Sequence, residues 1–123
     1  MYNEFIAWVQ AVLGDQYQAS RGQWVDSPSL ADVWIASIHA MGGAAVSVDD
    51  RRPRYRVLLL GPRNGRQHAD AIGQHADNLI RAAIYGDLVP CGAAHIRAMS
   101  EPSGPGYTTE NRAWYSVELQ VIH

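Results

Sequence analysis

One segment restricts the fold of this chain more than any other. Residues 65–85 place Ala69, Ile72, Ala76, Leu79, Ile80, Ala83 and Ile84 along one side of a helix. Asn64 stands where an N-cap is needed, and Gln67 holds the reciprocal capping-box position. Asp77 and Arg81 form an i,i+4 pair in the favoured orientation, and Gly86 and Pro90 punctuate the far end. Such a helix extends about 31 Å, roughly the width of a small domain. Its apolar side has to be covered by something equally long. Gly73, near the middle, predicts a close approach to a sheet or to a neighbouring molecule.

Strands supply the cover. Residues 32–40 contain Val33-Trp34-Ile35-Ala36-Ser37-Ile38, a short and partly β-branched run ended by Gly42-Gly43, with 44–48 able to extend it past a bulge. Residues 55–60 read as a strand buried on both faces, because Val57-Leu58-Leu59-Leu60 does not alternate; Pro53 delays its start. Residues 93–99 form a third strand. Residues 112–122 form the clearest one, with Tyr115, Val117, Leu119 and Val121 on one face and Trp114, Ser116, Glu118 and Gln120 on the other. A short helix at 4–13 carries Phe5, Trp8, Val9 and Val12 at helical spacing. Residues 15–31 read as mostly loop, and 100–111 as a loop that is mobile until a partner orders it. The expectation is an α+β domain over 1–123, in the order α-β-β-α-β-β: a mostly antiparallel four-stranded sheet with two helices on one face.

Composition agrees with a packed domain. A chain of 123 residues, 47% hydrophobic and 18% charged, can bury roughly 65% of its unfolded surface without staples. Four tryptophans and six tyrosines accompany one phenylalanine, which suits half-buried sites at the edge of a core or at an interface. Cys91 stands alone, so no intrachain disulfide or thiol metal site is expected. The start lacks a basic leader and no apolar run nears membrane-spanning length; a cytoplasmic protein without a membrane partner is expected.

A search for chemistry returns little. Gly61-Pro62-Arg63-Asn64-Gly65-Arg66-Gln67 leads from a strand into a helix but lacks the Gly-Lys-Ser/Thr ending of a phosphate loop. His68 and His75 lie two turns apart, not at the i,i+4 spacing of a zinc pair, and His39, His95 and His123 have no ligand spacing. No Gly-x-Ser-x-Gly elbow is present. Asp49-Asp50 stand beside Arg51-Arg52, where mutual neutralisation is the natural reading. No catalytic residue, metal or cofactor is expected.

The basic residues are less uniform. All ten are arginine, and six of them (Arg51, Arg52, Arg54, Arg56, Arg63 and Arg66) fall within residues 51–66 around Tyr55. Three readings stand: a nucleic-acid patch, a charged strand edge that discourages aggregation, or an ion-pairing surface for an identical subunit. The net charge of −2 weighs against nonspecific nucleic-acid binding. With Tyr107, Arg112 and Trp114, these six arginines are the candidate contact residues.

Taken in order, Asp32-Val33-Trp34-Ile35, Gly42-Gly43, Arg54-Tyr55-Arg56-Val57-Leu58-Leu59-Leu60-Gly61, the long helix, Gly104-Pro105-Gly106 and Asn111-Arg112-Ala113-Trp114-Tyr115-Ser116-Val117-Glu118-Leu119 resemble the tail-terminator (minor tail or minor capsid) proteins of long-tailed bacteriophages and prophages. The resemblance covers about residues 32–122. It implies a structural virion protein, assembled in the host cytoplasm and located in the tail. Copies of it would form a six-fold ring on the finished tail tube, stop tube polymerisation and present a surface to a head-completion or connector protein. The implied partners are further copies, the tail tube protein and that connector, with nucleic acid expected only as DNA passing through the ring. The alternative is a small nucleic-acid-binding domain using the arginine band.

Overall fold

The computed structural model describes residues 2–21, 28–41, 54–86, 95–99 and 101–122. Two helices, α1 (Tyr2–Leu13) and α2 (Ala69–Tyr85), and six strands are present among them. The strands are β1 (Tyr17–Arg21), β2 (Trp34–Met41), β3 (Arg54–Leu60), β4 (His95–Ala98), β5 (Ser103–Tyr107) and β6 (Ala113–Ile122). They form one sheet in the order β1-β2-β3-β6-β4, with β5 also paired to β6. β1 and β2 run parallel and every other pair is antiparallel. The α+β class is as expected, but the sheet has six strands rather than four and is mixed. The predicted features at Gly42-Gly43, 44–48, Asp49-Asp50, Arg51-Arg52, Pro53, Pro90 and Cys91 lie outside the described residues.

Both helices pack on one face of the sheet. Phe5, Trp8 and Val9 of α1 and Ile72, Ala76 and Leu79 of α2 share a single core with Tyr55, Val57 and Leu59 of β3 and Val117, Leu119 and Val121 of β6. Alternation places the intervening residues on a second face, which no helix covers among the described residues. β3 therefore does not behave as a strand buried on both sides throughout. Arg54 and Arg56 are exposed on the second face, Leu58 is half-buried there, and only Leu60 at the end is buried. The apolar run of residues 57–60 reflects a local covering at one end of the strand. β6 follows its predicted alternation, with Val117, Leu119 and Val121 in the core and Tyr115 packed against it.

The long helix ends at Tyr85, before Gly86, as expected, but differs at its start and in the extent of its apolar stripe. It begins at Ala69, after a 3-10 turn at Arg66–His68, and the residue before it, His68, makes no side-chain cap. The Asn64–Gln67 capping box does not form. Instead Asn64 adopts a positive φ of 55°, which asparagine tolerates, and its N–H donates to the Glu110 carbonyl at 3.0 Å. The apolar stripe stops at Ala83, because Ile84 is 54% and Tyr85 81% exposed. Its middle is as read. A Cβ on Gly73 would lie 2.9 Å from the Tyr115 ring, so the glycine lets the helix settle onto β6. The Asp77–Arg81 pair closes at 2.8 Å.

Two strands fall where loops were read. In β1 only Tyr17 is a large apolar residue, and it is buried; one anchor among small polar residues makes no periodic signal. β5 is Ser-Gly-Pro-Gly-Tyr, a sequence of strand breakers. It pairs on the outer side of β6, with a register shift between Ser103 and Gly106. Proline is admissible at a sheet edge, and a glycine there marks close approach. Gly106 lies under the Trp114 indole, so close that a Cβ would fall 2.1 Å from its ring atoms. The segment expected to be a mobile arm is thus a strand paired to its own domain.

Candidate contact surfaces

The sheet separates what the sequence runs together. Arg54 and Arg56 stand at the beginning of β3 on the second face, whereas Arg63 and Arg66 follow its end. Six residue steps along a strand carry them about 20 Å apart. Arg51 and Arg52 lie outside the described residues. The described arginines of the band accordingly divide between two ends of the molecule instead of forming one continuous basic stripe.

At the first end, Arg56 donates to the Glu118 carboxylate across the β3–β6 ladder at 2.9 Å. Both side chains are substantially exposed, so this pair contributes little stability. In the same part of the face, Ser37 Oγ and His39 Nε2 are hydrogen-bonded at 3.0 Å. Arg54 and Arg97 stand on either side of Gln120 in one cross-strand row.

At the other end, Arg66 packs over the Tyr107 ring, 4.4 Å from its centroid, and its Nε donates to Asn111 Oδ1 at 3.0 Å. Tyr107 is 42% exposed. Trp114, half-buried, lies on the second face above Gly106. Arg66, Tyr107 and Trp114 are therefore gathered around β5.

Arg112 belongs to a different category from the other candidates, because it is wholly buried. Its guanidinium donates from Nη1 to the Val33 carbonyl at 3.0 Å and the Gly61 carbonyl at 2.8 Å, and from Nη2 to the Leu30 carbonyl. Its backbone N–H donates to Thr108 Oγ1 at 3.1 Å. One side chain thus holds together the approach to β2, the exit of β3 and the turn between β5 and β6. Around it, the Arg63 N–H donates to the Ala31 carbonyl and the Gly65 N–H to the Asn111 carbonyl. A guanidinium enclosed in this way is a fold element, not an outward contact. The sequence carried no sign of it beyond the position of Arg112 beside a turn.

A further cluster escaped sequence reasoning. Tyr17 OH is hydrogen-bonded to His75 Nδ1 at 2.7 Å. Trp34 packs between His68 and His75, at 5.0 and 6.1 Å between ring centroids. Burial lowers the His75 pKa below the ordinary imidazole range and raises that of the Tyr17 phenol. The two histidines, which lack zinc spacing in the sequence, line the junction of α2 with β1 and β2. No group of three potential metal ligands occurs among the described residues. A cavity of about 220 Å³ between β1, β2 and the turn at Pro28–Leu30 is lined by Gln18, Ala19, Ser20, Leu30 and Ile35, none of them an acid or base.

The described surfaces have the profile of charged and aromatic contacts. The family comparison gives that profile an identity: a family model described as "Phage tail termination protein" matches residues 1–123, and the chain belongs to this family. Its role is that of a structural protein of the phage virion, located in the tail and associated with other tail components. The family is a structural one. No curated protein matches the sequence. Among solved structures, one aligns over 98% of this chain and 89% of its own, with a TM-score of 0.57 and 17% identity; that likeness bears on the fold alone. No helix among the described residues is long and apolar enough to cross a membrane.

Proposed function

We propose that copies of this protein form a closed ring, six-fold as the family resemblance implies, on the end of the finished tail tube. The ring stops further addition of tube protein and presents a surface to the head-completion or connector protein. The observation that carries this reading is the family match over the whole chain. The geometry is compatible with it, since a ring asks each copy to meet the next through two different surfaces, and the arginines are divided between two ends of the molecule.

The test is to delete the gene from a phage or prophage that carries it and to measure tails by electron microscopy. Overlong tails of irregular length, unattached to heads, are expected. The wild-type gene supplied separately should restore a single length and joined particles. Tails of normal length that join heads in the absence of the gene would overturn the proposal.

A further inference from the structure

Exposed charges of opposite sign stand on the two layers of this domain. On the second face of the sheet, Arg54, Gln120 and Arg97 share one row across β3, β6 and β4. Arg54 and Arg97 are exposed, and two interstrand spacings set them about 10 Å apart. Neither has a carboxylate partner among the described residues, whereas Arg56 in the adjacent row is occupied by Glu118.

The helix layer offers a complement of the same spacing. Asp70 and Asp77 lie seven residues apart on α2, two turns along one side of the helix and about 10 Å from each other. Asp70 is exposed and has no ion-pair partner among the described residues. Asp77 holds only Arg81 of its own helix, itself exposed, in a pair that water screens strongly. The second face of the sheet and the helix layer point away from each other, so these groups cannot meet within one copy. They can meet between copies, in a contact that repeats head to tail.

We propose that Arg54 and Arg97 of one copy dock on Asp70 and Asp77 of α2 in the next. Paired guanidinium–carboxylate hydrogen bonds at matched spacing would set the register of the contact. The inference rests on the ring reading above and assigns to it two surfaces. A phosphate backbone would also suit two exposed arginines, but Glu118 in the adjoining row and the net charge of −2 favour an acidic protein surface.

Four variants of the whole chain test this: Arg54→Glu with Arg97→Glu, Asp70→Arg with Asp77→Arg, Asp70→Asn with Asp77→Asn, and all four reversals in one chain. Each is supplied to the gene-deleted phage beside the wild type, and the protein recovered with purified tails is measured, with thermal melting as a check on folding. Each double reversal should lower recovery about tenfold or more, and the asparagine pair, which leaves the helix undisturbed, should lower it as well. Recovery should return when the four reversals are combined, or when the two reversed chains are supplied together, because each then meets its complement. Undiminished recovery of the separate reversals, or a loss that recombination does not restore, overturns the docking. So does a wild-type protein that binds a DNA duplex at physiological salt and loses that binding with Arg54→Glu and Arg97→Glu. If the wild type itself fails to restore tail length, the ring reading falls and this contact with it.

Discussion

Arg112 and the pair Arg54 and Arg97 show how differently one side chain can be used in two regions of the same sheet. Before β6, Arg112 is enclosed and spends its donors on the carbonyls of Leu30, Val33 and Gly61. At the other end of the strands, Arg54 and Arg97 stand exposed on the second face. Nothing in local composition distinguishes them: each lies in or beside a strand. Burial decides. A guanidinium removed from water must find acceptors inside the chain, and three carbonyls at an irregular junction supply them. An exposed one has no such obligation and remains available to another molecule.

The largest effect is expected at Arg112. Arg112→Ala would leave three carbonyls without their donor, at about 1–3 kcal/mol for each one that water cannot reach. A loss of about 3–5 kcal/mol is expected in chemical denaturation, enough to unfold a marginal domain. Arg112→Lys should recover only part of it, since an ammonium cannot reproduce the planar fork. An Arg112→Ala protein that melts as the wild type does would place the side chain among the outward arginines after all.

Gly106→Ala comes next. Its new Cβ would meet the Trp114 indole, so the tryptophan must leave its place over β5, and a destabilisation of about 1–3 kcal/mol is expected. The tryptophan fluorescence of the chain should shift with it. An unchanged spectrum and melting point would mean that the ring gives way without cost.

The Tyr17–His75 bond asks whether a smaller buried polar contact behaves as Arg112 does. Tyr17→Phe should cost about 1 kcal/mol. Burial depresses the His75 pKa in the folded chain, so the unfolded chain takes up the proton first as pH falls. The stability contributed by neutral His75 is present above the unfolded imidazole pKa of about 6.5 and declines as pH drops from there toward the lower folded value. Melting temperature measured from pH 7.5 to 5.5 should fall more steeply in the wild type than in His75→Gln; equal slopes would remove the histidine from the account.

The smallest effect belongs to the exposed pair. Arg54→Ala and Arg97→Ala should change the stability of the isolated chain by less than about 0.5 kcal/mol. A larger loss would show that these residues hold the domain together and would erase their contrast with Arg112.

How much of this was legible in advance varied with the physical origin of each element. α2 and β6 announce themselves because one side of each faces a continuous core, so their apolar residues repeat with the period of the backbone. β1 and β5 do not. β1 is fixed by a single anchor, Tyr17, and by backbone pairing to β2. β5 is fixed by pairing and by the absence of a side chain at Gly106. The start of α2 was misread for a related reason: Asn64 has the chemistry of a cap, but the turn it occupies is held by the Glu110 and Asn111 carbonyls from across the molecule. The candidate contact residues were chosen by type, and type cannot reveal that the described part of the band is divided by the length of β3 or that Arg112 points inward.

The placing of β6 also governs when the domain can exist at all. It is the last strand in chain order, yet it has β3 on one side and β4 with β5 on the other. During synthesis, β4 emerges and has no partner among the described strands until residues 113–122 follow it. At roughly 5–20 residues per second, that leaves unpaired backbone waiting on the order of seconds, with β3 presenting a bare edge meanwhile. Arg112 immediately precedes β6, so the residue that ties the junction and the strand that completes the sheet leave the ribosome together. The nascent chain thus remains open to pairing with the wrong strand, its own or a neighbour's, until the step that closes the sheet also secures it.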